Sequence, residues 1–279
     1  MKNPVKVLSA PLLVSFLIGG SQMAHAGAWV GEKGSGYHKI AYNAFDADDF
    51  FGDNDGFENF QNDSISYYFE TGLGNKLALF GSLSLQDLEQ TISGQETSSS
   101  GLSDLELGLR YSLVDSSAYV LSAAFTFKAP YLYDEDDDLP RGNGQEDYEG
   151  RLLFGKSLNK YGYFGAELGY RLRSGTPSDE IRYLLEYGFN ATENLYFRTK
   201  LDGTESANNA SVFLNNNGNL STPQEFDLGK WELTAGWNFG KPGRYGRGKY
   251  GIEFTYTKDV YGDNTLDGET FQIGITYSH

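Results

Sequence analysis

The sequence predicts an all-β protein: a single transmembrane antiparallel β-barrel of about twelve strands, preceded by a signal peptide. Three observations carry that expectation. Apolar and polar residues alternate in runs of about ten, long enough to cross a bilayer's hydrocarbon layer when tilted. Short and long connections alternate along the chain, as they do on the two rims of an outer-membrane barrel. After residue 26 no apolar stretch could span as a helix, although Gly (35), Tyr (20) and Phe (19) are abundant.

Residues 1–26 read as a secretory signal. Lys2 and Lys6 form a basic start, residues 7–20 an apolar run, and Ala24-His25-Ala26 a small-x-small cleavage site. The expected mature chain, 27–279, is one domain. Cysteine is absent, which excludes a lipoprotein anchor, disulfides and thiolate metal sites. The formal charge of −16 becomes −18 once Lys2 and Lys6 leave. So acidic a chain is no partner for nucleic acid, whose phosphates need Lys and Arg patches.

The clearest strands lie between Tyr161 and Phe189. Phe164, Ala166, Leu168, Tyr170 and Leu172 point one way, and Tyr163, Gly165, Glu167, Gly169, Arg171 and Arg173 the other. After the break at Ser174-Gly175-Thr176-Pro177, Ile181, Tyr183, Leu185, Tyr187 and Phe189 oppose Glu180, Arg182, Leu184, Glu186 and Gly188. The same alternation predicts strands over 36–45, 63–72, 76–90, 101–114, 117–129, 146–157, 161–172, 179–189, 194–203, 226–240, 247–259 and 269–278. Long loops are expected over 46–62, 91–100, 130–145 and 203–225, and shorter ones over 173–179 and 260–268.

A soluble β-sandwich shares the alternation, with its apolar file turned inward. Three features favour the membrane barrel. The polar file mixes Gly with both charge signs at mid-strand, as a crowded lumen requires. Tyr and Trp cluster near strand ends, like the girdles at membrane interfaces. The chain also closes on Gln272, Gly274 and Tyr277, the polar-x-Gly-x-x-aromatic spacing read by the barrel-insertion machinery, with His279 where a final aromatic is usual.

Four segments resemble the outer-membrane proteins of the MetA-pathway phenol-degradation family. They are Gly101-Leu-Ser-Asp-Leu-Glu-Leu-Gly-Leu-Arg-Tyr111, Phe127-Lys-Ala-Pro130, Gly142-Asn-Gly-Gln-Glu-Asp147 and Gly169-Tyr-Arg-Leu-Arg-Ser-Gly-Thr-Pro-Ser-Asp-Glu180. The resemblance covers roughly residues 100–190. Where the family usually shows Pro-Thr-Gly, this chain has Pro130-Tyr131-Leu132. The resemblance implies a barrel that passes small, often aromatic, compounds, and it carries over no catalytic residue.

Hydrolytic barrels hold a nucleophile, a base and an orienting group together. After residue 26 the only histidines are His38 and His279, so no enzyme, cofactor or metal centre is expected. The acidic stretches Asp134-Glu135-Asp136-Asp137-Asp138 and 46–55 read as a solvated rim bridged to lipopolysaccharide phosphates by divalent ions, in preference to a dedicated Ca²⁺ site.

If the apolar file faces lipid, the inward file holds acids (Glu70, Asp104, Glu106, Glu149, Glu167, Glu180, Glu186, Glu232, Glu253) against bases (Lys39, Lys76, Arg110, Lys128, Arg151, Arg171, Arg173, Arg182, Arg198, Lys200). Charges held out of bulk water are stable only when paired. Arg110, Arg151, Glu167, Arg171, Arg173, Arg182, Glu186, Arg198 and Lys200 are the candidate lumen-lining and solute-contact residues. For the basic wall Arg171, Arg173, Arg182, Arg198 and Lys200, salt bridging with Glu167, Glu180 and Glu186 competes with solute contact. Two functions fit: a channel for passive uptake of small aromatic or anionic solutes, and a closed structural or adhesive barrel with acidic, ligand-binding outer loops. The expected partners are outer-membrane lipid and lipopolysaccharide, the insertion machinery and a small solute.

Overall fold

The computed structural model describes residues 27–52, 56–134, 137–211, 219–239 and 248–279. Residues 1–26, expected to be a signal peptide, and the 241–246 connection lie outside the described residues, as do parts of the acidic loops. The strands are β1 (Gly36–Phe51), β2 (Phe57–Gly74), β3 (Leu77–Ile92), β4 (Gln95–Leu102), β5 (Leu105–Asp115), β6 (Val120–Ala129), β7 (Asp147–Ser157), β8 (Tyr163–Arg173), β9 (Glu180–Asn190), β10 (Leu195–Ser206), β11 (Asp227–Phe239), β12 (Lys249–Asp263) and β13 (Thr265–Ser278). A 3₁₀ turn over Asn159–Tyr161 joins β7 to β8.

Each strand pairs antiparallel with its neighbour in sequence, except β4 with β5, and β1 pairs with β13 from Tyr37↔Ser278 to Phe51↔Thr265, which closes the sheet. β3 pairs with β4 along its upper half and with β5 along its lower half. Those two are one wall position interrupted at Ser103-Asp104, so the closed barrel has twelve strands, as the sequence predicts. No helix among the described residues is long and apolar enough to cross a membrane.

The two files face as the alternation requires. Ile40, Ile65, Leu109, Phe125, Leu152, Leu168, Leu185, Leu233, Phe254 and Ile275 are exposed on the outside of the wall. The charged file is buried or half-buried inside it. Lys76 departs from this pattern. With Asn75 it forms a two-residue turn in which both residues have positive φ, 53° and 64°, and its side chain is exposed at the short-turn rim.

Several strands run further than the sequence predicts. β1 and β2 continue through most of the expected 46–62 loop, and β3–β4 is a hairpin through 91–100. The 260–268 loop shrinks to a turn at Asn264, while β12 and β13 carry on. The pattern inverts in this taller section. Asp46, Asp63, Asp87 and Glu89 face out and are exposed, whereas Ala47, Phe60, Leu88 and Leu266 are buried inside against Leu139. This part of the wall stands in water. Its polar residues face outward and its apolar ones inward, as in a soluble sandwich, so the membrane alternation stops while the backbone ladder continues.

Glycines make room for tyrosine rings on the neighbouring strand. Tyr163 lies over Gly188 and Tyr196 over Gly236, both inside the lumen. A Cβ on Gly236 would sit 2.1 Å from Tyr196 Cζ. Gly236→Val should therefore expel the ring and lower the unfolding free energy by about 1–3 kcal/mol, the cost of overpacking. Urea unfolding in detergent, followed by gel mobility, measures this.

Candidate functional site in the barrel lumen

The short-turn end of the lumen is crossed by a strap, residues 27–35, ahead of β1. Ala28 is buried with Val120 and Leu153, and its carbonyl accepts from Ser122 Oγ at 2.5 Å. The Trp29 ring meets Tyr163 edge-on at 5.9 Å between centroids. The Gly34 N–H donates to the Gly72 carbonyl at 2.9 Å, and Gly72 packs so closely on the carbonyls of Gly31 and Glu32 that no side chain fits there.

Above the strap the inward charges form two ion-pair networks, one centred on Glu149 and Arg171 and one on Arg198, with the Arg110–Glu70 pair standing apart from both. Arg110 donates to Glu70 at 2.9 Å and lies 5.2 Å over the Phe80 ring. Arg151 bridges Glu149 (2.5 Å) and Glu167 (2.7 Å). Arg171 reaches four acids: Glu149 at 3.0 Å, Glu106 at 3.1 Å, Asp147 at 3.8 Å and Glu180 at 4.0 Å. Arg173 pairs with Glu180 at 3.2 Å, and Arg182 with Glu149 at 3.4 Å. Arg198 stands between Glu232 (3.3 Å), Glu186 (3.9 Å) and Glu253 (4.0 Å). Lys200 reaches Glu232 (3.4 Å) and Glu186 (3.9 Å), and Lys39 holds Glu253 at 2.7 Å. All nine candidate residues thus face the lumen, and each has an opposite charge beside it.

The sequence reading missed the role of two acids. Glu149 serves three arginines, and Asp147, buried under Lys128 at 3.0 Å, joins that lysine to Arg171. Asp147 sits in the inward file of β7 two residues from Glu149, so the period-two rule would have found it.

Two loops fold in over the other end. Leu139 and Leu220 enter the apolar cup of Phe60, Leu88 and Leu266. Asn219 Nδ2 donates to the Pro140 carbonyl at 2.6 Å, the Leu220 N–H to Gln90 Oε1 at 3.0 Å, and Asn143 Nδ2 to the Thr222 carbonyl at 3.1 Å. On the 174–179 connection, burial pushes the Asp179 carboxyl up, but bonds from the Arg173 N–H, Asn209 and Tyr170 outweigh it and hold the group below the usual carboxylate range.

Three cavities lie inside the barrel among the described residues. An outer one of about 400 Å³ lies among Ser103, Lys128, Arg171, Arg182, Ser221 and Thr222. A second, about 360 Å³, lies beneath the apolar cup and shares Ser221 and Thr222 with the first. An inner one of about 410 Å³ is lined by Tyr37, Lys39, Glu70, Arg198 and Lys200 and floored by Gly27. Ser66 and Ser82 line both the outer and the inner cavity, so the two cavities adjoin there. A larger groove, about 690 Å³, lies on the apolar outer wall between Phe197, Leu233 and Phe254, where lipid covers it. The two histidines are far from the lumen: His38 and His279 stack on each other and on Tyr277 at the seam of β1 and β13.

No family model matches the chain, and no curated relative does. Solved structures do. The COG4313 outer membrane channel from Pseudomonas putida F1 superposes with a TM-score of 0.69 over 92% of this chain and 100% of its own, at 12% identity. The NanC porin gives 0.53 over 85% and 98% at 9% identity. The translocator domain of the autotransporter NalP from Neisseria meningitidis gives 0.55 over 90% of each chain at 10% identity. Together with the outward apolar band, the shared fold decides the class. The chain is an outer-membrane β-barrel. At these identities the likeness establishes the fold, and the two first-named neighbours are a channel and a porin.

The Arg110–Glu70 pair tests how the barrel carries its charges. Its side chains are only 6% and 8% exposed. Glu70→Ala should cost about 3–5 kcal/mol by leaving a buried guanidinium unpaired, whereas replacing both residues by Met should keep wild-type stability. Urea unfolding of the three proteins in one detergent gives the comparison.

Proposed function

We propose that this barrel is a narrow, passive channel for small aromatic or anionic solutes. The observation that carries the reading is a pair of adjoining polar cavities in the lumen, an outer and an inner one, both bordered by Ser66 and Ser82. The shared fold with an outer membrane channel and a porin supports it. Twelve strands enclose more room than the eight whose side chains fill a barrel, and less than the sixteen of open porins. Anions are favoured by the inward bases Arg171, Arg173, Arg182, Arg198 and Lys200. The aromatic class is supported only by the resemblance of residues 100–190 to the phenol-degradation family. In this reading, outer-membrane lipid and lipopolysaccharide surround the wall, the insertion machinery reads β13, and no step requires an enzyme's groups.

A second reading, a closed structural or adhesive barrel, draws on the strap at one end and the docked loops at the other. Single-channel currents separate the two readings. Discrete conductance reduced by small acids fits the channel, and a folded but silent protein fits the closed barrel. Removing residues 27–33 should raise conductance several-fold, since the strap lies across one mouth. A truncated barrel with unchanged current would show that the strap does not restrict flow.

The basic wall has its own test. Replacing Arg171 and Arg198 together by Gln releases the acids they hold and should shift the reversal potential in a KCl gradient toward cation selectivity. An unchanged potential would remove those arginines from the conduction path.

A further inference from the structure

The lumen has two chemically different walls, and we infer that it takes a hydroxylated carboxylic acid of monosaccharide size, a sugar acid; the inference rests on the channel reading. One wall, on β5 to β12, carries most of the inward charges; Lys39 on β1 and Glu70 on β2 are the partners of Glu253 and Arg110. Opposite it, on β13, β1, β2 and β3, the level where the two cavities meet presents Asn43, Ser64, Ser66, Ser82, Ser84 and Gln272. All six belong to the inward file and are half-buried. Asn43 organises them: its Nδ2 donates to Ser64 Oγ at 3.2 Å and Ser66 Oγ at 3.1 Å, and its Oδ1 accepts from Gln272 Nε2. Aromatic rings lie above this level, at Phe45 and Phe60, and below it, at Tyr37 and Tyr68.

A hydroxyl both donates and accepts, and so does a primary amide. A row of such groups suits a solute that carries hydroxyls. A bare aromatic ring pressed against it would strip water from these groups and return no hydrogen bond. The facing wall supplies the place for a carboxylate. Arg171, with four acid partners, is 11% exposed. Arg182 has one acid contact, at 3.4 Å, an Nε without a hydrogen-bond partner, and a side chain 23% exposed. Lys200 has two contacts, at 3.4 and 3.9 Å, and is 22% exposed. These are the loosely held bases of the lattice. Arg182 borders the outer cavity and Lys200 the inner one, while Ser66 and Ser82 border both. Each of the two adjoining cavities therefore pairs a receiver for a carboxylate, Arg182 or Lys200, with the shared hydroxyls of Ser66 and Ser82. Its cavities, about 400 and 410 Å³, lie within the size range of small-ligand sites.

The test uses the full chain from Gly27 in planar bilayers, with KCl current as the reading of an open channel and glucuronate, glucose and benzoate as probes at equal ionic strength. Glucuronate should block at a concentration about tenfold lower than either glucose or benzoate, because only it engages both walls. Ser66→Ala with Ser82→Ala should weaken the glucuronate block about tenfold relative to the benzoate block in the same protein. Arg182→Gln with Lys200→Gln should bring glucuronate to the level of glucose. Benzoate blocking as well as glucuronate, or a serine pair whose loss leaves the ratio unchanged, overturns the inference. If no KCl current is seen, the channel reading fails by itself. Saturation-transfer NMR on the detergent-solubilised barrel then decides: glucuronate signals that vanish in the double serine variant uphold the binding site, and their absence in the wild type removes it.

Discussion

Closure of the backbone ladder between β1 and β13 is the constraint from which the rest of this molecule follows. In hydrocarbon no water is available for an open edge, so every N–H and C=O of the wall must find a partner within the wall. The seam meets that demand along its whole height, down to the mutual bonds of Gly36 and His279 at 2.9 and 3.0 Å. Once the sheet closes, each strand has one face in lipid and one in a confined interior. The interior face must then carry its charges without the help of bulk water.

The lattice answers that second demand by sharing. Glu149 serves three arginines and Arg171 four acids, so no single contact decides the local charge. Tightly held members such as Arg110 with Glu70 act as wall material. Arg182 and Lys200 are held more loosely and are more exposed. The strap and the inward loops then set how much of the interior remains open, which divides the space into a polar middle and two guarded ends.

The taller section of the wall shows how environment, more than chain propensity, writes the pattern. The same strands β1, β2 and β3 turn Ile40, Ile65 and Leu85 outward in one section and Ala47, Phe60 and Leu88 inward in the other. The backbone ladder carries on from one section to the other, with one register shift in the β1–β13 pairing between Asp46 and Asp49. The medium outside the wall changes, from lipid to water, and the side of the sheet that must be apolar changes with it.

By itself the sequence determined the class, the strand count and the facing of the residues within the membrane. Period-two alternation is a local property, and in lipid it admits a single orientation. It also placed the inward charges, because a charge at mid-strand on the polar file has nowhere else to go. The upper strands were illegible for the opposite reason: once the apolar face inverts, alternation read as lipid-facing ends in the wrong place. Lys76 was misread because one turn with two positive φ values takes it out of the strand. Only the tertiary structure decided which charges pair, that Asp147 and Glu149 are shared, that residues 27–35 cross the lumen, and that a neutral wall of Asn43, Ser66 and Ser82 faces the charged one. Those are relations between strands far apart in the chain, set by barrel curvature and register, and no local pattern encodes them.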